Sequence, residues 1–140
     1  MNNFLFSLLR IHKFNQIYKK NNEIKYRIGL IYPNRYKIGM SGLTIKLLYH
    51  LMNYHPNIYC ERIFLPEKKT IIQSIETKKY LSEFDILAFT FQFELDYINA
   101  LKMMIDSNIP LKSVDRFKKP ILIAGGPCIV DNPKPILEFF

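Results

Sequence analysis

Apolar positions in this chain fall into short unbroken runs separated by stretches with helical spacing. "YRIGLIY" (26–32) is the first run, and its β-branched and aromatic residues, almost uninterrupted by polar ones, predict a strand buried on both faces. The pattern changes in "GLTIKLLYHLMNYH" (42–55), where Leu43, Leu47, Leu48 and Leu51 recur on one stripe of a helix that Pro56 ends. "NIYCERIF" (57–64) predicts a second strand, stopped by Pro66, and "FDILAFTF" (84–91) a third. A helix over "LDYINALKMMIDSN" (95–108) follows, ending before Pro110, and "KPILIAGG" (119–126) predicts a fourth strand. Between strands two and three, "TIIQSIET" fits a small extra strand or a helix. The chain closes on "KPILEFF", a short helical pattern whose Ile136, Leu137, Phe139 and Phe140 call for a surface to cover.

Strands alternating with helices predict right-handed crossovers and an α/β fold: a doubly wound, mainly parallel, Rossmann-like sheet. Ligands of such sheets bind beyond the carboxyl ends of the strands. Three loops meet that edge: "PNRYKIGMSG" after the first strand, "QFELDY" after the third and "GGPCIVDNP" after the fourth. The first fits neither G-x-G-x-x-G nor G-x-x-x-x-G-K-[ST], which removes the usual nucleotide-binding loops. It offers Asn34, Tyr36 and Ser41 as hydrogen-bonding groups and Met40 as an adaptable apolar contact. Asn34 and Ser41 equally suit a turn and a helix N-cap, the better account of Ser41. Gly125 and Gly126 permit close backbone approach to a ligand or a plain tight turn. Glu94 and Asp96, two apart at a helix start, predict capping rather than an acid and base pair.

A length of 140 residues with 49% hydrophobic content predicts one compact domain, residues 26–140, preceded by a basic extension, residues 1–25. Within the extension, Leu5, Leu8, Leu9 and Phe14 lie near one side of a possible amphipathic helix over 5–18. Its apolar run is too short to span a bilayer and carries no cleavage site for a secretory leader. Cys60 and Cys128 have no short pairing distance, which predicts a reducing, cytoplasmic setting, small buried thiols and no metal site. His50 and His55 read as surface or core-edge imidazoles. Charge is uneven: residues 1–50 hold nine Lys or Arg against Glu23 alone, 9 − 1 = +8, and the remainder is neutral. Such a half attracts nucleic acid, an anionic surface or an acidic partner, or is a solvated face.

The series "YPNRYKIGMSGL", "CERIFLP", "FDILAFTFQFELDYINAL", "IPLKSVDR" and "PILIAGGPCIVDNPKPILEFF" resembles the N-terminal region of uncharacterised radical S-adenosylmethionine (SAM) proteins, a cobalamin-binding-like domain ahead of a catalytic barrel. The resemblance spans about residues 26–140. Pro33, Asn34, Tyr36, Gly39, Met40, Ser41 and Leu43 match the first loop of that family, with Thr44 where a glycine is usual. Phe89, Gln92, Glu94, Leu95, Tyr97 and Asn99 match the third segment, and Gly125, Gly126, Pro127, Asn132 and Pro133 the fourth. The resemblance implies a ligand edge formed by Asn34, Tyr36, Met40, Ser41, Gly42, Gln92, Glu94, Gly125, Gly126 and Pro127. It also implies that the domain lacks its last strand, through a split gene or a truncation, and that a radical SAM catalytic domain is its partner. The iron-sulfur cluster of such enzymes needs three thiolates in C-x-x-x-C-x-x-C, and two cysteines cannot supply them. The cluster and S-adenosylmethionine are therefore expected only in that catalytic domain. No histidine stands in D-x-H-x-x-G, so cobalamin, if it binds at all, binds without a lower ligand and is not expected to be held tightly. The leading expectation is an accessory, non-catalytic domain; the alternative is a free-standing RNA-binding module using the basic half.

Overall fold

The structure, a computed structural model, describes residues 16–140. Up to residue 15, the amphipathic pattern read over 5–18 lies outside the described residues. Each predicted strand forms within its apolar run: β1 (Tyr26–Tyr32), β2 (Ile58–Phe64), β3 (Ile86–Thr90) and β4 (Ile121–Gly125). They make one parallel sheet in the order β2-β1-β3-β4. Among the described residues four α-helices accompany them, α1 (Tyr36–Ser41), α2 (Thr44–Tyr54), α3 (Leu95–Asp106) and α4 (Pro127–Asp131). α1 lies inside what reads as a loop, because Tyr36 and Met40 fall one turn apart and both pack into the α2-side core. Gly39 sits between them, where a Cβ would meet the Phe64 ring at 2.6 Å. The sheet is therefore the expected α/β, Rossmann-like arrangement.

Each face has its own core. Ile28, Leu30 and Tyr32 of β1 pack with Ile45 and Tyr49 of α2, whereas Ile31, Leu87 and Phe89 pack with Ala100, Met103 and Met104 of α3. Of the stripe expected to bury α2, Leu48 alone packs against the core. Ile45, Tyr49 and Asn53 face the sheet, and Leu43, Leu47 and Leu51 face solvent. Edge strand β2 decides this, since its outward backbone groups need partners. Asn53 supplies them, donating from Nδ2 to the Cys60 carbonyl (3.0 Å) and accepting the Cys60 N–H at Oδ1 (3.1 Å). Tyr49 adds its ring beneath the Arg62 guanidinium, 4.1 Å from the centroid. A leucine stripe could satisfy neither.

The ambiguous "TIIQSIET" segment becomes an irregular antiparallel flap over the β2 edge, bridged at Ile63–Ser74 and Gln73–Tyr80. Buried carboxylates of Glu61 and Glu76 hold it. Glu61 accepts from Ser74 Oγ (2.7 Å), Thr77 Oγ1 (2.7 Å) and Arg27 Nη1 (2.8 Å). Glu76 accepts from Arg62 Nε (2.8 Å) and the Arg62 backbone N–H (2.7 Å). At the other end, "KPILEFF" finds cover on its own domain. Ile136 is buried and Phe139 and Phe140 pack on the α3-side core, so only Leu137 of the four stands exposed. Arg116 anchors this segment by donating to the carbonyls of Pro110, Leu111 and Phe139.

Candidate functional site

Because all four strands are parallel, the loops after β1, β3 and β4 leave the same edge of the sheet. The chain winds one way from β1 to β2 and the other from β3 to β4, so the direction reverses between the neighbours β1 and β3. That reversal opens a crevice where ligands of doubly wound sheets bind. Here it holds about 250 Å³ and is lined by Tyr32, Ile38, Ser41, Gly42, Gln92 and Phe93.

Asp96 organises this edge. Fully buried in the first turn of α3, its Oδ2 accepts the backbone N–H groups of Gln92 (2.9 Å) and Phe93 (3.1 Å), and Oδ1 accepts from Asn34 Nδ2 at 3.4 Å. One carboxylate thus closes the β3 loop and ties it to the β1 loop. The expected capping of the helix is not what Asp96 does: the amides it accepts precede α3, whose N-cap Glu94 has no side-chain cap bond and is exposed. Burial, and then the Asp96 charge, raise the Tyr32 phenol above its ordinary pKa, which keeps it neutral. Replacing Asp96 by alanine strands two N–H groups and is expected to cost about 1–3 kcal/mol. Urea unfolding measures that loss, and amide exchange at Gln92 and Phe93 should quicken with it.

The ten residues implied as a ligand edge do not form one surface. Ser41, Gly42 and Gln92 line the crevice. Asn34 stands behind it, with Oδ1 accepting the Arg35 N–H at 2.9 Å, as the turn reading expects. Ser41 does not cap the following helix: its hydroxyl donates back to the Ile38 carbonyl (2.7 Å), and the N-cap of α2 is Leu43. α1 makes this difference, turning Ser41 into the last residue of a helix. It also turns Tyr36 and Met40 away from the crevice. Tyr36 stacks edge-on against Phe64 at 5.1 Å, and Met40 Sδ accepts from Arg62 Nη1 at 3.7 Å. Gly125, Gly126 and Pro127 belong to the β4 end. Gly126 has φ 112°, and a Cβ there would lie 2.4 Å from the Phe91 carbonyl oxygen. Its close approach is thus to the β3 backbone. Tyr97 fastens the same loop by donating to the Cys128 carbonyl at 3.1 Å.

Asp96 is the residue that sequence reasoning left out of the site. Its signal was local: an acid in the first helical turn after a strand, three and four positions beyond the amides it accepts. His50 and His55 are exposed on or just past α2. Burial raises the pKa of both thiols, so neither Cys60 nor Cys128 is a ready nucleophile near neutral pH. Among the described residues, no group of three or more His, Cys, Asp and Glu could hold a metal ion. None of their helices is long and apolar enough to cross a membrane.

Residues 44–140 match the family described as "Radical SAM proteins, N-terminal". An uncharacterized protein of Methanocaldococcus jannaschii is 32% identical over 115 residues, which is 81% of this chain and 22% of that protein. The chain therefore spans under a quarter of the length of this relative. No solved structure matches it. The family match starts at Thr44, leaving β1 and α1 before it, and takes in α2, the β3 loop with Asp96 and the β4 loop with Gly126. With that span covered, the chain belongs to the N-terminal family of radical SAM proteins.

Proposed function

We propose that this chain is an accessory, non-catalytic domain of a radical SAM protein, presenting the crevice between β1 and β3 to a catalytic domain. The catalytic domain lies elsewhere in the same polypeptide or on a separate chain. The crevice carries this reading. It stands at the reversal point of the sheet, is braced by Asp96, and is lined by uncharged residues: Tyr32, Ser41, Gln92, Ile38 and Phe93. At about 250 Å³ it falls below the roughly 300–1,000 Å³ of pockets that enclose a drug-sized ligand. It suits a side chain or loop of a neighbouring body. Family membership supports the reading, and the chain's two cysteines cannot supply a three-thiolate cluster site.

Cobalamin, larger than a drug-sized ligand, does not fit these residues. Tyr36 and Met40 are engaged with Phe64 and Arg62, and the space beside Gly126 is filled by the Phe91 backbone. The exposed His50 and His55 lie outside the crevice lining. After incubation with hydroxocobalamin and gel filtration, the protein is expected to elute free of cobalt. Near-stoichiometric cobalt would defeat this part of the proposal. Cleavage of S-adenosylmethionine by the chain alone, after reconstitution with iron and sulfide under reducing conditions, would defeat the non-catalytic reading. The RNA-binding alternative gains no support from the family match, and two cations of the basic half are engaged within the domain: Lys19 donates to the carbonyls of His55 and Ile58, and Arg27 pairs with Glu61.

A further inference from the structure

A second cavity opens at the carboxyl edge of the sheet, between the end of β2 and the flap. α1 borders both spaces: its Ile38 and Ser41 line the crevice, and its Tyr36 lines the second cavity. Phe64, Ile71 and Ile72 supply apolar wall there, and Glu67 and Lys78 bring charge to it. At about 390 Å³ this cavity lies within the roughly 300–1,000 Å³ of pockets that enclose a small ligand, which the crevice does not reach. Glu67 and Lys78 are exposed and opposite in charge, yet among the described residues they do not pair with each other, and neither side chain has another partner. The neighbouring charges are taken, Arg62 by Glu76 and Lys79 by Glu83. Lys78 also stands at φ 61°, a conformation that lysine rarely adopts. Bonds that leave its side chain out impose it: Ser74 N–H donates to the Lys79 carbonyl (3.0 Å), Lys79 N–H to Ser74 Oγ (3.0 Å) and Thr77 N–H to Glu61 (3.2 Å). The flap thus spends backbone strain at the residue that carries a cation to the cavity.

We infer that this cavity binds a free aromatic amino acid, with its carboxylate on Lys78, its ammonium on Glu67 and its ring against Tyr36, Phe64 and Ile71. A zwitterion satisfies two opposite charges that line one cavity without pairing, and each contact is a charge-assisted hydrogen bond. The aromatic side chain meets the apolar wall, where Tyr36 and Phe64 already pack edge-on at 5.1 Å and a third ring extends the cluster. The inference goes beyond the accessory-domain reading and does not depend on it, because Gln92 and Phe93 of the crevice take no part.

The test titrates the isotopically labelled full chain with L-phenylalanine and follows its amide resonances. Saturable shifts are expected at Leu65, Ser74 and Ile75, which line the cavity, and none at Gln92 and Phe93. Lys78→Asn removes the cation but keeps a residue that tolerates positive φ, and Glu67→Gln removes the anion but keeps the shape. Each should weaken binding about tenfold, the scale of one charged hydrogen bond, and melt within about 2 °C of wild type, as solvent-facing substitutions do. Hydrocinnamate lacks the ammonium and phenethylamine the carboxylate, and both should bind about tenfold more weakly than L-phenylalanine. No saturable shift, or binding that either variant leaves unchanged, would overturn the inference. Hydrocinnamate binding as well as L-phenylalanine would mark a plain anion site and overturn it too, as would shifts confined to the crevice amides. None of these results touches the accessory reading.

Discussion

Replacing Gly126 by valine is expected to cost about 3–4 kcal/mol, from backbone strain and overpacking together. Two effects compound. A β-branched residue at φ 112° is strained whatever surrounds it. The added Cβ would also lie 2.4 Å from the Phe91 carbonyl oxygen and 2.9 Å from its nitrogen, and backbone atoms held in a ladder cannot swing aside. Phe91 N–H donates to the Gly125 carbonyl at 2.8 Å, so the clash would be relieved only by parting β3 from β4 near the crevice. Gly125 is the control. Nothing lies within 4 Å of a Cβ there, and Gly125→Ala should stay within about 0.5 kcal/mol of wild type. Urea melts of the two variants decide the matter: equal stability would mean that the β3 and β4 loops do not meet as described.

Removing the Glu76 carboxylate is expected to be at least as damaging. Glu76→Ala leaves the buried Arg62 guanidinium without its carboxylate, a loss of about 3–5 kcal/mol. The β2 flap should open with it, seen as faster amide exchange at Ser74, Ile75 and Arg62. Burial raises the Glu76 carboxyl above its ordinary pKa although Arg62 donates to it, so the desolvation of this pair is not fully offset by its own attraction. Replacing both partners should therefore restore much of the loss. Arg62→Met with Glu76→Leu is expected to lie within about 1–2 kcal/mol of wild type, the remainder being the Arg62 backbone N–H that Glu76 accepts. A double variant no better than Glu76→Ala would contradict this account of the flap.

The strands were legible in the residues themselves. A strand covered on both faces has no polar alternation, so "YRIGLIY", "IYCERIF" and "ILAFT" announce themselves by composition. With helices between them, parallel order and a shared loop edge follow from the handedness of crossovers. That the glycine pair permits a close backbone approach or a tight turn was also visible, though not that Gly126 alone would take the positive φ.

Tertiary structure decided which side of each helix faces inward and which loop groups face one another. α2 carries apolar residues on both sides, so periodicity alone could choose either. Arg62 and the open backbone of β2 chose the side bearing Tyr49 and Asn53, because a buried cation and unpaired amides cost more than exposed leucines. The same competition turned Tyr36 and Met40 toward the core, where Phe64 and Arg62 offer contacts that the crevice does not. Asp96 looked like an ordinary helix cap until Asn34, 62 positions earlier, came within reach of it. Local spacing carries the information for a strand, a turn or a cap. Which of two adequate surfaces is buried depends on partners distant in the chain, and those exist only once the sheet has formed.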